Sequence, residues 1–285
     1  MMFAVAERRF RQRLEELSIV WHVHNCQPAL AWAAAAVTWV AAPERDIMTI
    51  PKQLDALADA LWEWADETGQ PEPLTIESVA EGFVALGFRG NTENYDDRRN
   101  SFLEDVLTRR VGIPITLSVV FIELAARFGL WCEGINFPGH FLVRYSGPDG
   151  VGYLDPFHQC RWLDSDGLQQ LLHQMCGPQE QLCAEHLEVA QPADIFLRML
   201  NNIYRISLEA KDWATAARAR QMQLVVCPED IYARRDIGLL YLQLECWNEA
   251  VAWLEEQKQN ARSDTERRAL DAHIDEARRG LARWN

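Results

Sequence analysis

The chain has 285 residues, enough for one large domain or two ordinary ones, and its 48% hydrophobic and 25% charged content excludes a disordered chain. Lys and Arg number 28 against 42 Asp and Glu, so the formal net charge is −14, which argues against general affinity for nucleic-acid phosphates or anionic membranes. The seven cysteines (Cys26, Cys132, Cys160, Cys176, Cys183, Cys227 and Cys246) are odd in number, irregularly spaced and without a CxxC pair, a pattern of reduced thiols in a cytoplasmic protein and not of a disulfide framework.

The N-terminal stretch MMFAVAERRF is charged from Glu7 onward and shows no signal-peptide pattern. Arg8, Arg9, Arg11 and Arg13 alternate with other residues and run into Glu15 and Glu16, as on a solvated helix face. His22 and His24 share HxH spacing but have no carboxylate close by, and read as surface or interhelix residues. The longest apolar run, between Pro28 and Pro43, is about fourteen residues, too short for a bilayer core of about 30 Å. Its alanines suggest a closely packed, buried helix.

A helix is expected from Ile50-Pro51, with Leu54, Leu57, Ala58, Leu61, Trp62 and Ala65 at helical spacing and a stop at Gly69. A second amphipathic stretch covers Ile76 to Leu86, stopped by Gly87. Asn91 to Arg99 is polar and loop-like. Asn100 or Ser101 then caps a helix through Arg110. Gly112 breaks the chain, and Pro114 opens the main apolar helix, which carries Leu117, Val119, Val120, Phe121, Leu124, Ala125 and Phe128. Gly129 ends it.

Three strands are expected next: Trp131 to Asn136, then a hairpin of His140 to Tyr145 with Val151 to Asp155. A further strand is read over Gln159 to Leu163. A four-residue loop, Ser146 to Asp149, would pair Tyr145 with Gly150 and set His140 opposite Asp155. A histidine and an aspartate on neighbouring strands behind a buried helix are two thirds of a Cys-His-Asp hydrolase or acyl-transferase site. In such a site a thiolate sits at a helix N-terminus, the histidine takes its proton, and the carboxylate fixes the imidazole. Here the helix starts Gly112-Ile113-Pro114-Ile115-Thr116, with no cysteine. Thr116 offers a hydroxyl, but about 200° around the helix from Pro114, and Ser118 is displaced further. Cys132, on the strand after the helix, reads as a buried apolar thiol. A metal set of His140, Asp155, His158 and Cys160 matches no known ligand spacing and is set aside, so no metal and no cofactor are expected.

Beyond Gln191-Pro192 no strand signal remains. Trp213 and Ala216 recur at Trp247 and Ala250, a period of 34 residues. This is the spacing of tetratricopeptide helix pairs, which point to binding of another protein.

The segments Asn100-Ser101-Phe102-Leu103, Arg110 to Leu117, Phe137-Pro138-Gly139-His140-Phe141-Leu142 and Asp155-Pro156-Phe157 together resemble the transglutaminase-like core of the bacterial family labelled after the SirB invasion regulator. Arg198 to Tyr204 and the repeat after it are similar to that family's helical tail. The resemblance implies a papain-like core. It places His140 and Asp155 at the family's histidine and aspartate positions. In the broader fold the cysteine lies about fifteen residues before the glycine that ends the helix; counting back from Gly129 puts Pro114 there.

The expected architecture is α+β. Residues 1–95 form a helical N-terminal region, 96–190 a transglutaminase-like core with a small antiparallel sheet, and 191–285 a tetratricopeptide-like helical region. The expected function is that of a cytoplasmic pseudoenzyme acting in regulation or protein binding, with His140 and Asp155 as the remnant of a catalytic dyad. The rival is a hydrolase or acyl transferase that uses the dyad with a non-cysteine nucleophile.

Overall fold

The structure, a computed structural model, describes residues 2–23, 29–148 and 150–284. The HxH pair, Cys26 and the hairpin residue Asp149 lie outside the residues whose side chains are described. The chain divides into two compact units: Met1–Gln27 with Trp39–Arg45 and Leu200–Asn285, and Pro28–Thr38 with Asp46–Met199. Residues 1–95 thus contribute to both.

In the second unit, helix α2 (Leu30–Ala36) buries Ala31 and Ala33 to Ala36, as the alanine-rich run suggested. α3 (Ile50–Thr68) buries Leu54, Leu57, Leu61 and Ala65 along one face and ends at Gly69, whose φ of +69° is the left-handed geometry that glycine adopts without strain. α4 (Ile76–Ala85) starts on Thr75, whose hydroxyl accepts from the Ser78 N–H. These helices pack on α6 (Pro114–Arg127), which is buried from Pro114 to Ile122. Glu123 of α6 accepts from the Ala31 N–H with Oε1 at 3.0 Å, tying a carboxylate to the positive end of α2.

One expected cap is different. α5 spans Leu103–Arg109, Phe102 precedes it, and no side chain caps it. Asn100, fully buried, uses its amide on the loop before it: Nδ2 donates to the carbonyls of Asn94 (2.9 Å) and Tyr95 (3.1 Å), and Oδ1 accepts from Asn91 Nδ2 (3.1 Å). A buried amide has to satisfy several hydrogen bonds at once, and the loop supplies them.

β1 (Arg89–Gly90) and β2 (Val111–Gly112) form a short parallel pair just before α6. After α6, β3 (Cys132–Ile135), β4 (Leu142–Gly147), β5 (Gly150–Asp155) and β6 (Arg161–Leu163) make an antiparallel sheet in chain order. The hairpin register differs from expectation. Gly147 pairs with Gly150 and Tyr145 with Gly152, so the link is two residues long, not four. Glycine at both ends allows it. Gly150 has φ +119°, and a Cβ on Gly147 would lie 2.4 Å from the Tyr145 ring. The shift is two residues, so every side chain keeps its face. α7 (Ser165–Cys176) follows, capped by Asp164, whose Oδ1 accepts from the Gly167 N–H.

The chain passes between the units within α8 (Pro192–Glu209). The first unit holds α1 (Met2–Ser18), α8 from Leu200 onward, α9 (Trp213–Val226), α10 (Ile231–Gln243), α11 (Trp247–Gln259) and α12 (Asp264–Trp284). Trp213 and Trp247 are the first residues of α9 and α11, so the 34-residue period falls on equivalent points of successive helix pairs. Close packing explains the glycines: a Cβ on Gly238 would meet Leu254 at 2.7 Å, and one on Gly280 would meet the Trp247 ring at 2.5 Å. Arg218, 6% exposed, donates to Val40 O and Glu7 Oε2 and covers the Phe10 ring within this unit. The whole is α+β: a mainly helical part with a small four-stranded antiparallel sheet, then an all-helical part.

Candidate functional site

His140 lies two residues before β4, in the turn Phe137-Pro138-Gly139-His140. Its N–H donates to Phe137 O at 3.0 Å, and Gly139 has φ +67°. Proline fixes the first central position of such a turn and glycine the second, where φ is positive. A Cβ on Gly139 would also strike Met175 at 2.8 Å. Arg198 of α8 holds the turn from outside. It donates to His140 O at 2.7 Å and to Phe137 O at 3.3 Å, and it also bonds Asn136. The sequence offered one sign of this role: Arg198 opens the Arg198 to Tyr204 segment.

Asp155 ends β5, fully buried, and caps the short turn Pro156–His158. Its Oδ1 lies 2.9 Å from His140 Nε2, the contact expected from sequence, although it is reached by a different register and from a turn. Its Oδ2 lies 2.7 Å from His158 Nδ1, and the His158 N–H also reaches Oδ1 at 3.3 Å. Burial pushes the Asp155 carboxyl up. Hydrogen bonds and charge from His140, then from His158, outweigh that and hold it below the usual carboxylate range. An ionised carboxylate only accepts, so His140 carries its proton on Nε2 and His158 on Nδ1. His140 Nδ1 is then the ring nitrogen left for a reacting group or ligand. The two imidazoles stack at 5.6 Å and 23°. His140 is 3% exposed, while the His158 side chain is 44% exposed, so the cluster opens to solvent on the His158 side.

The cluster borders the start of α6. Gly90 of β1 pairs with Gly112, two residues before Pro114, and a Cβ there would lie 2.6 Å from the Phe157 ring. Phe157 stands edge-on to His140 (5.9 Å) and to Tyr95 (6.0 Å). Pro114 is the first residue of α6. The Thr116 hydroxyl donates to Asn100 O at 2.7 Å and accepts from the Ile113 N–H at 3.2 Å, so it closes the helix start. No hydrogen bond joins Thr116, or any cysteine sulfur among the described residues, to His140. Burial, then the Glu133 charge, pushes the Cys132 thiol up to about 12. Burial and the Asp155 charge push Cys160 up as well. Both thiols are protonated near neutral pH and are poor nucleophiles. His158 entered the sequence reading only as one member of a metal set; the structure places it beside Asp155 and leaves Cys160 outside the cluster.

A papain-like helix, a following antiparallel sheet and a histidine–aspartate pair facing the helix start define a transglutaminase-like core. Residues 49–201 match the family model described as "Transglutaminase-like superfamily", and 203–275 match one described as "Tetratricopeptide repeat". The chain belongs to the transglutaminase-like superfamily. Its relatives include UPF0162 proteins and SirB1, in keeping with the SirB-type resemblance. A UPF0162 protein of Xylella fastidiosa (strain 9a5c) is 40% identical over 165 residues, 57% of this chain and 59% of that protein. UPF0162 protein YchA of Escherichia coli K12 is 28% identical over 210 residues, 72% of this chain and 75% of YchA. Protein SirB1 of Salmonella typhimurium is 30% identical over 146 residues, 51% of this chain and 54% of SirB1. The chain thus spans well under two thirds of the Xylella and Salmonella relatives. No solved structure matches.

Proposed function

We propose that this protein is a regulatory or protein-binding member of its family whose transglutaminase-like core lacks a nucleophile, with the tetratricopeptide region as the partner-binding part. The observation that supports this reading is the start of α6. Proline stands at its first position, the nearby Thr116 hydroxyl is engaged with Asn100 O, and both buried thiols of the core have raised pKa values. A proline nitrogen inside a peptide has no proton to lose and no nucleophilic lone pair. His140 and Asp155 then serve as a positioned polar pair. The second reading, a hydrolase or acyl transferase using another nucleophile, is favoured by the intact 2.9 Å dyad and the ionised Asp155.

One comparison separates the two. A panel of amide, ester and thioester substrates is offered to the wild type and to His140→Ala. The binding reading expects turnover at the buffer background for both. Turnover by the wild type that falls by about 100-fold or more in His140→Ala, the range general base catalysis contributes, would overturn it and establish an enzyme.

A further inference from the structure

We propose that His140, Asp155 and His158 bind one divalent transition-metal ion of the zinc class. Among the described residues, this is the group of histidine, cysteine and carboxylate side chains that offers one ligand atom each with all of those atoms within 4.8 Å of one another. Two ligand atoms bonded to zinc at about 2.0–2.2 Å lie roughly 3.3–3.6 Å apart at tetrahedral angles. His140 Nε2 now lies 2.9 Å from Asp155 Oδ1 and His158 Nδ1 2.7 Å from Oδ2, and the three ligand atoms span no more than 4.8 Å, so an ion would part each nitrogen from its oxygen by under about 1 Å.

The backbone already holds all three ligands. Asp155 and His158 sit three residues apart across the Pro156–His158 turn, which the Asp155 side chain itself caps. The turn that fixes His140 is clamped by Arg198. The donor types suit the ion. Two imidazoles and one carboxylate are a recurrent set for divalent zinc, cobalt, manganese and iron, and three protein ligands leave positions for water. The half-exposed His158 gives the ion a way in. His158 is also the part of the cluster that an orienting dyad does not need. One imidazole and one carboxylate suffice to fix a ring, and a second imidazole on the remaining carboxylate oxygen completes a three-ligand set.

No atom is lost when the ion enters. Each coordinating ring nitrogen gives up its N–H, the proton moving to the other ring nitrogen where that is free and otherwise to water, and the metal takes the lone pairs on His140 Nε2, His158 Nδ1 and the carboxylate. Cys160, two residues beyond His158, stays outside the set. The proposal goes beyond the protein-binding reading and stands or falls separately from it.

The test uses the full chain, stripped with a chelator and then titrated with zinc ion by calorimetry and with cobalt ion by visible absorption. Expected are one equivalent of each ion and cobalt d–d bands without a thiolate-to-cobalt charge-transfer band. His158→Ala should weaken binding at least tenfold, and Cys160→Ser should leave it unchanged. His158 is half-exposed, so circular dichroism should show its variant folded; Asp155→Asn gives a second, independent loss of affinity. Absence of binding by the wild type, equal affinity in His158→Ala, or a thiolate band would overturn the proposal.

Discussion

Asp155 carries more of the site than any other residue. It is a fully buried carboxylate, which alone would favour its neutral form, yet the two imidazoles bring its pKa below the ordinary value of about 3.9. A group whose folded pKa lies below its unfolded one binds more protons when unfolded in the window between the two. Its contribution to stability is therefore complete above the unfolded pKa and is lost as pH falls through the folded pKa. Asp155→Asn keeps the shape but removes the charge. The expected result is a loss of about 1.5–3 kcal/mol at neutral pH, the range for hydrogen bonds to a charged group, shrinking toward zero as the pH falls through the lowered pKa of the folded-state carboxyl. Urea unfolding of both proteins at a series of pH values measures this. A pH-independent difference would mean that Asp155 is not held ionised by its histidines.

At the scale of elements, glycines mark where helices meet. Gly238 lies in α10 and Gly280 in α12, and glycine within a helix costs about 0.8–1.0 kcal/mol relative to alanine. Propensity alone therefore predicts that alanine stabilises both. Packing opposes it: the added Cβ would lie 2.7 Å from Leu254 at position 238 and 2.5 Å from the Trp247 ring at position 280. Overpacking costs typically about 1–3 kcal/mol, so packing wins at both sites. The rigid indole cannot turn aside as a leucine methyl can, and Gly280→Ala should cost more than Gly238→Ala. Thermal unfolding of the two variants gives the order. Stabilisation by either would show that the helix pairs sit farther apart than described.

At the scale of the whole molecule, charge dominates. A net charge of −14 over 285 residues repels polyanions. One of the N-terminal arginines has a structural partner: Arg13 donates to Glu16 and to the carbonyls of Pro43 and Arg45, and it covers the Trp39 ring. The protein should pass through a heparin column at physiological salt and be retained by an anion exchanger. Retention on heparin would reveal a basic surface strong enough to reverse the expectation for nucleic acid. No helix among the described residues is long and apolar enough to cross a membrane.

Sequence by itself determined what depends on neighbours along the chain. Gly69 and Gly87 stop helices because each residue's own φ is positive, and Pro114 opens α6 because its ring fixes φ and its missing N–H is not needed there. The 34-residue period placed Trp213 and Trp247 because it repeats one local unit. Tertiary structure decided what depends on distant groups competing for one partner. Asn100 went to loop carbonyls and not to a helix cap. The hairpin closed by two residues more than expected, because glycines at both ends allowed the tighter link. His158 and Arg198 joined the site across spacing that no motif encodes. The His140–Asp155 contact belonged to both levels. Sequence named the two residues, and the fold brought them together, one from the turn that Arg198 clamps and the other from the end of β5.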